Sequence, residues 1–191
     1  MQTLLCQVPT GAHGPVRRYE YVQILRESMP AVSAAAGLPA LALLVQMLDA
    51  ATMHEQARSL TGLFDQSPHR RPAIEVDQRT RRDDDPRSAL VDAIRIAAGH
   101  LIREHAVPVD AVIAELADRT QLTFRRLRLH LLAEHGASSP RLVGHCLTEA
   151  TVIGDPGAER ELIHLIAVGA YLARRGRAAT HARIDRAGSR S

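Results

Sequence analysis

Apolar residues in this sequence recur at intervals of three and four positions, and this spacing constrains the fold more than any other feature. Leu41, Leu44, Val45 and Leu48 show it most clearly, because positions i, i+3, i+4 and i+7 share one face of a helix. Aromatic residues make up only 3% of the chain and Trp is absent, so aliphatic side chains supply nearly all of the apolar volume. Aromatic side chains are enriched in strands. The sequence therefore predicts an all-α fold.

Two helices are predicted at the N-terminal end. Residues 17–36 carry a run of side chains at helical spacing: Tyr21, Ile24, Leu25, Ser28 and Val32. Pro30 inside this run predicts a kink, and Gly37 predicts the end of the helix. Leu38-Pro39 then opens the helix that carries the stripe described above. These two helices predict an N-terminal helical hairpin within residues 1–58.

Helical periodicity disappears over residues 59–85. Pro68, Pro72 and the run RTRRDDD dominate this segment. Loops of this length without secondary structure are uncommon inside compact domains. The segment is predicted to be a charged linker that connects two helical regions.

Residues 86–175 are predicted to form helical pairs. Asp85-Pro86 is a helix start signal, because Asp accepts hydrogen bonds from unpaired N–H groups and Pro is tolerated in the first turn. The helix it opens ends near His105, and a shorter helix follows Val107-Pro108. Another long helix is predicted from Gln121 to His135.

The same pattern then begins again. Gly136 predicts the end of the long helix, and Ser139-Pro140 repeats the start signal for a short one. A last helix, from Ala158 to Arg175, is apolar almost all round, and such a helix requires neighbours on more than one side.

An internal repeat connects these helices. The hexapeptide HLIREH, His100 to His105, matches HLLAEH, His130 to His135, at a separation of 30 residues. Each copy is followed by a proline-containing turn and a shorter apolar helix. Helix pairs that recur at such an interval predict helical hairpins stacked as a short HEAT-like α-solenoid.

Three segments carry a family resemblance: RRPAIE at residues 70–75, DDDPRSALVDAIR at 83–95 and TFRRLRLHLLAEHG at 123–136. They resemble the helical-repeat region of large actinobacterial ATP-binding proteins of the STAND or NACHT-like type. The similarity spans residues 17–173 and implies an accessory region that serves as sensor or scaffold beside an ATPase. The chain has no Lys and therefore no GxxxxGK[ST] phosphate-binding loop. The resemblance thus implies a detached accessory region of a larger ATPase.

Residues 112–132, VIAELADRTQLTFRRLRLHLL, support an alternative interpretation. They are similar to the helix-turn-helix of AraC-like and related bacterial regulators, with Leu122 in the turn. That similarity implies a DNA-binding transcriptional regulator. Its candidate contacts with phosphates or base edges are Thr123, Arg125, Arg126 and Arg128. Gln121 stands where this pattern usually has a glycine in the left-handed conformation.

The titratable residues predict no catalytic or metal site. Each repeated His pair is five residues apart, or roughly 500° around a helix, so its imidazoles point to different faces. His105 and His135 lie in last helical turns, where the helix dipole favours positive charge. His145-Cys146 with His130 is a set of low specificity, and no GxSxG nucleophile motif occurs. We therefore expect no enzyme activity, no bound metal and no cofactor.

The basic charge of the chain is concentrated at its end. The sequence pI is about 9.4, but residues 174–191 contain six Arg and one acidic residue, which leaves the body near neutral. Residues 176–191 are predicted to be a basic disordered tail, with weak nucleic-acid binding as a less favoured role. Cys6 and Cys146 are too isolated in sequence for a disulfide framework. Without a signal peptide or membrane span, we expect a cytoplasmic protein.

The functional hypothesis follows from the last helix. A helix that is apolar almost all round buries one face in its own domain and requires a second surface to cover the other. We expect that surface to belong to a protein partner or to another copy of the chain. Leu162, Ile166 and Leu172 are the candidate partner-binding residues.

Overall fold

A computed structural model describes residues 18–58, 74–75, 85–104, 107–149 and 156–188. Within these ranges the chain forms seven α-helices and no strand, which confirms the predicted all-α class. The helices are α1 Arg18–Ala36, α2 Leu38–Arg58, α3 Pro86–Glu104, α4 Val109–Ala117, α5 Leu122–His135, α6 Pro140–Thr148 and α7 Glu159–Gly188. Short 3-10 turns, Gly136–Ser138 and Pro156–Ala158, precede α6 and α7. Cys6, His105 and most of the charged linker lie outside the described residues.

The connection between α1 and α2 is a single glycine. Gly37 has a φ of 63°, and its N–H donates to the carbonyl of Ser33 at 2.9 Å. This left-handed conformation ends α1 as predicted, and α2 begins immediately at Leu38. The buried face of α1 is formed by Tyr21, Val22, Leu25, Met29 and Ser33. Val32, expected on that face, is exposed, because the stripe follows residues 25, 29 and 33.

Helices α1 and α2 both pack on α3 and share one apolar core with the rest of the described chain. Leu90 and Ile94 of α3 are fully buried in this core. Helix α3 packs on α5, and α5 packs on α7. The shorter α4 lies against α5, and the shorter α6 lies against α7. The packing is consistent with a helical bundle in which the long helices follow one another in chain order.

Local signals account for where the C-terminal helices begin. The carboxylate of Asp85 accepts the backbone N–H of Ser88 at 3.3 Å and its hydroxyl at 2.7 Å, so Asp85 caps α3 as predicted. Helix α6 begins at Pro140 after Ser139, but Ser139 does not cap it. The Ser139 hydroxyl instead donates to Asp110 of α4 at 2.5 Å.

The turn between α4 and α5 is attached to α2. Asp49 forms an ion pair with Arg119, with 3.0 Å between Oδ2 and Nε, and accepts a 2.7 Å hydrogen bond from the Gln121 amide. Gln121 has φ −62° and ψ 144°, an extended conformation. The left-handed backbone typical of a helix-turn-helix is therefore not adopted at this position.

Helix α7 is longer than the sequence predicts. It continues to Gly188, whereas the expected end was Arg175 and residues 176–191 were expected to be disordered. Helical backbone replaces that tail over residues 176–188. The reason lies in the composition of the segment, because Ala and Arg are among the best helix formers and no Pro interrupts them.

Candidate partner-binding surface on the last helix

The inner face of α7 is held in the core by apolar contacts. Leu165 is fully buried, as is Ala158 in the 3-10 turn before α7, and Leu162 and Val168 pack against the same core. Gly169 lets α6 approach closely, since a Cβ built there would lie 2.8 Å from Cδ1 of Leu147. One side of α7 is thus fixed against α5 and α6.

A buried ion pair fixes the start of the same helix. The Arg126 guanidinium donates from Nε to Glu161 Oε2 at 3.1 Å and from Nη2 to Glu161 Oε1 at 2.9 Å. Both side chains are almost fully buried. The bidentate arrangement fixes the orientation of both side chains and satisfies charges that the interior would otherwise disfavour.

The same carboxylate also receives part of the predicted linker. Ile74 is buried, and its backbone N–H donates to Glu161 Oε1 at 2.8 Å. Three parts of the chain therefore meet at Glu161: Ile74, helix α5 and helix α7. This junction was not predicted, although the short apolar run of Ala73, Ile74 and Val76 in a charged stretch was a signal for an anchored residue.

The outer face of α7 is apolar and exposed. Ile163 is 59% exposed and Ile166 is 51% exposed, while Ala167 and Ala170 lie beside them on the same side of the helix. Tyr171, at the edge of this group, is also exposed. Charged residues stand at its two ends: Glu159 and Arg160 before it, and Arg174 after it. We call Glu159, Ile163, Ile166, Ala167, Ala170 and Arg174 the α7 stripe.

The three predicted partner-binding residues do not share one face. Ile166 lies in the α7 stripe. Leu162 packs against the core, and Leu172 is half-buried on the inner side of the helix. Ile163 was missed, although its spacing of three from Ile166 places both residues on one side of the helix.

The predicted DNA-contacting residues lie on both sides of α5. Thr123 and Arg126 are buried, and Arg126 is committed to Glu161. Arg125 and Arg128 are half-buried. Arg126 cannot contact a phosphate unless the buried ion pair breaks, so the four side chains do not form one exposed surface.

Three described histidines and one cysteine were the remaining candidates for chemistry. Burial lowers the pKa of His130, with Glu134 opposing this effect and Arg95 adding to it. Burial likewise lowers the pKa of His135 and so favours the neutral imidazole. The helix dipole was expected to favour the charged form. Burial and Glu149 raise the pKa of the Cys146 thiol, which favours its protonated form.

These residues do not converge on one centre. His145 is exposed, whereas His130 lies in the core. The Glu134 carboxylate instead lies near two other imidazoles, 3.4 Å from His130 Nε2 and 3.6 Å from His135 Nε2. In the part of the chain that the structure describes, no three His, Cys, Asp or Glu side chains are grouped so that they could hold a metal ion.

Comparisons of the chain with protein-family models, curated proteins and solved structures find no match. Among the described helices, none combines the length and apolar character required to cross a membrane.

Proposed function

We propose that this chain is a non-catalytic helical scaffold that mediates protein–protein interaction, and that the α7 stripe is its binding surface. The observation that carries the proposal is the exposure of Ile163 and Ile166 on a helix whose opposite face is fixed in the core. Single exposed apolar residues are common on protein surfaces, but adjacent ones on a rigid helix suit a helix partner. The proposed location is cytoplasmic.

The order of helix packing supports a scaffold role. Long helices α1, α3, α5 and α7 each contact the next, with the shorter α4 and α6 beside them. In a HEAT-like α-solenoid the corresponding helices of successive hairpins stack in the same manner. We propose that α3 to α7 form such a stack, as the 30-residue repeat and the resemblance to accessory regions of STAND or NACHT-like ATPases suggest. A detached accessory region would act by binding rather than by catalysis.

The buried ion pair gives the α7 stripe a fixed position. Because Glu161 lies at the start of α7 and joins α5 to Ile74, the first turns of α7 cannot rotate without breaking the ion pair. A surface held in this way loses little conformational entropy when a partner binds. Arg126 is part of this support, which favours protein binding over DNA binding through α5.

The proposal is tested by site-specific photo-crosslinking of the full chain in its native cells. A photoreactive amino acid replaces Ile163 or Ile166, and in a control it replaces Ile96, which is similarly exposed on α3. We expect protein adducts at positions 163 and 166 that are at least about fivefold more abundant than those at position 96, because hot spots cluster within an interface. Absence of adducts at both α7 positions, or equal yields at position 96, would contradict the proposed function.

A further inference from the structure

The side chains of the α7 stripe follow an order that is complementary to the same order read in reverse. At 100° per residue its six positions fall within an arc of about 100°. All six are exposed. From the start of α7 the stripe presents an acid, two large side chains, two small side chains and a base: Glu159, Ile163, Ile166, Ala167, Ala170 and Arg174.

Three pairs in the stripe share one midpoint. Ile166 and Ala167 flank it, Ile163 and Ala170 each lie three positions further out, and Glu159 and Arg174 form the ends. Each pair joins unlike members, either large with small or negative with positive. The ends are about 22 Å apart along the helix axis.

We propose that the occupant of the α7 stripe is the α7 stripe of a second copy, packed antiparallel about a two-fold axis between Ile166 and Ala167. This inference rests on the proposed function and names its partner. Antiparallel pairing places Ile163 of each copy against Ala170 of the other, and Ile166 against Ala167. Large side chains opposite small ones allow two helices to approach closely and interdigitate.

Charge fixes the register of the pair. In this arrangement Glu159 of each copy lies opposite Arg174 of the other, so a dimer contains two such contacts. Each exposed ion pair contributes little by itself, but a shift in register would separate both at once. Antiparallel helices also align their dipoles favourably, whereas a parallel pair would place like charges opposite each other. Closed two-fold symmetry is the commonest form of homo-oligomer.

The first test is the oligomeric state of the purified full chain by sedimentation equilibrium. We expect a reversible dimer that Ile166→Asp dissociates, with the dimer dissociation constant raised at least about a hundredfold because the charge would be buried at the interface centre. Ile96→Asp is the matched control and should leave the dissociation constant unchanged. Helix content of both variants is checked by circular dichroism. A chain that is monomeric at about 100 µM, or a dimer that Ile166→Asp does not weaken, overturns the inference.

Charge reversal tests the register. We expect Glu159→Arg and Arg174→Glu each to raise the dissociation constant about tenfold, because each creates two like-charge contacts per dimer. The double variant restores both contacts in reversed sense and should return to within about threefold of the original constant. Failure of the double variant to recover would overturn the proposed pairing.

Orientation is tested by disulfide trapping after Cys6→Ala and Cys146→Ala. A mixture of the Ile163→Cys and Ala170→Cys variants should form a mixed disulfide, while neither variant alone should cross-link to itself. Self-linked Ile163→Cys would indicate a parallel pair and contradict the inference. The two proposals separate cleanly: a monomer in solution whose α7 stripe cross-links to a different protein in cells retains the proposed function and loses only self-pairing.

Discussion

Arg126 belongs to a run of arginines whose spacing on α5 is compatible with either a surface or an interior. The structure places its guanidinium in the core, where an isolated charge would be disfavoured by several kcal/mol. Glu161 makes the position acceptable because both of its oxygens accept from Arg126, and one also accepts from Ile74. The partner lies 35 residues away in sequence. Local pattern could not distinguish Arg126 from Arg125 for that reason.

Arg126→Met is expected to lower the free energy of unfolding by about 3–5 kcal/mol, because it leaves the Glu161 carboxylate buried without its counter-ion. Adding Glu161→Leu removes that carboxylate and should recover part of the loss, although the Ile74 N–H then lacks its acceptor. Urea denaturation followed by circular dichroism measures both. Arg125→Met, a half-buried neighbour, is the control and should change stability by less than about 1 kcal/mol. Additive losses in the double variant would show that the pair does not act as a unit.

His130 makes stability depend on pH. Its pKa in the folded chain lies below the reference value of 6.5, chiefly because burial disfavours the charged imidazole. The unfolded chain therefore binds more protons than the folded chain as the pH falls below about 6.5. The stability that His130 contributes is therefore fully present above about pH 6.5, and it is lost as the pH falls through the lower pKa of the folded chain. Glu134, Arg95, Glu75 and Glu161 are the charged groups that act on this histidine.

We expect the free energy of unfolding to decrease between about pH 7 and pH 5.5, where most carboxylates stay ionised. His130→Gln should flatten this decrease, leaving a smaller slope from His135, whose pKa is lowered in the same direction. The measurement is urea denaturation across that pH range. A free energy of unfolding that increases toward acid pH would contradict the lowered pKa of His130.

At the scale of the element, helix starts and internal stops were predicted well because they depend on neighbouring residues. Asp85-Pro86, Gly37 and Pro140 each mark a boundary through local hydrogen bonds or a fixed φ. The end of α7 was not predicted, since the Arg-rich segment after Arg174 has no apolar stripe and periodicity detects burial rather than helicity. Gly136 was predicted to end α5, and α5 does end at His135. The φ of Gly136 is −68°, so the helix passes into a 3-10 turn there without a left-handed residue.

Gly136 is required instead by the close approach of Val143. A Cβ at position 136 would lie 2.5 Å from Val143 Cγ2, a branched and buried side chain. Gly136→Ala should therefore lower the free energy of unfolding by about 1–3 kcal/mol through overpacking. Gly144→Ala is the matched control in α6, with open space around its Cβ, and should be neutral or stabilising by up to about 1 kcal/mol. Equal effects of the two substitutions in thermal unfolding would refute this role of Gly136.

At the scale of the whole molecule, the sequence supported the all-α class and an apolar outer face on the last helix, but it could not supply the arrangement of the helices. Periodicity predicts that a face is buried without identifying its neighbour. The packing of α1 and α2 on α3, and the anchoring of Ile74 at Glu161, depend on contacts between distant segments. Ile166 was found because the predicted last helix is apolar almost all round, whereas Leu162 and Leu172 could be assigned to the inner side only after α5 and α6 were in place.

The distribution of tyrosines gives the chain a built-in optical reporter. It has three Tyr and no Trp. Tyr19 and Tyr171 are exposed to solvent, whereas Tyr21 is 1% exposed on the face of α1 that enters the core. Solvent-perturbation difference spectra of the native chain would therefore be dominated by Tyr19 and Tyr171, and a third perturbed tyrosine would signal that α1 has left α3. Ultraviolet absorbance alone can thus follow the detachment of one named helix without any label.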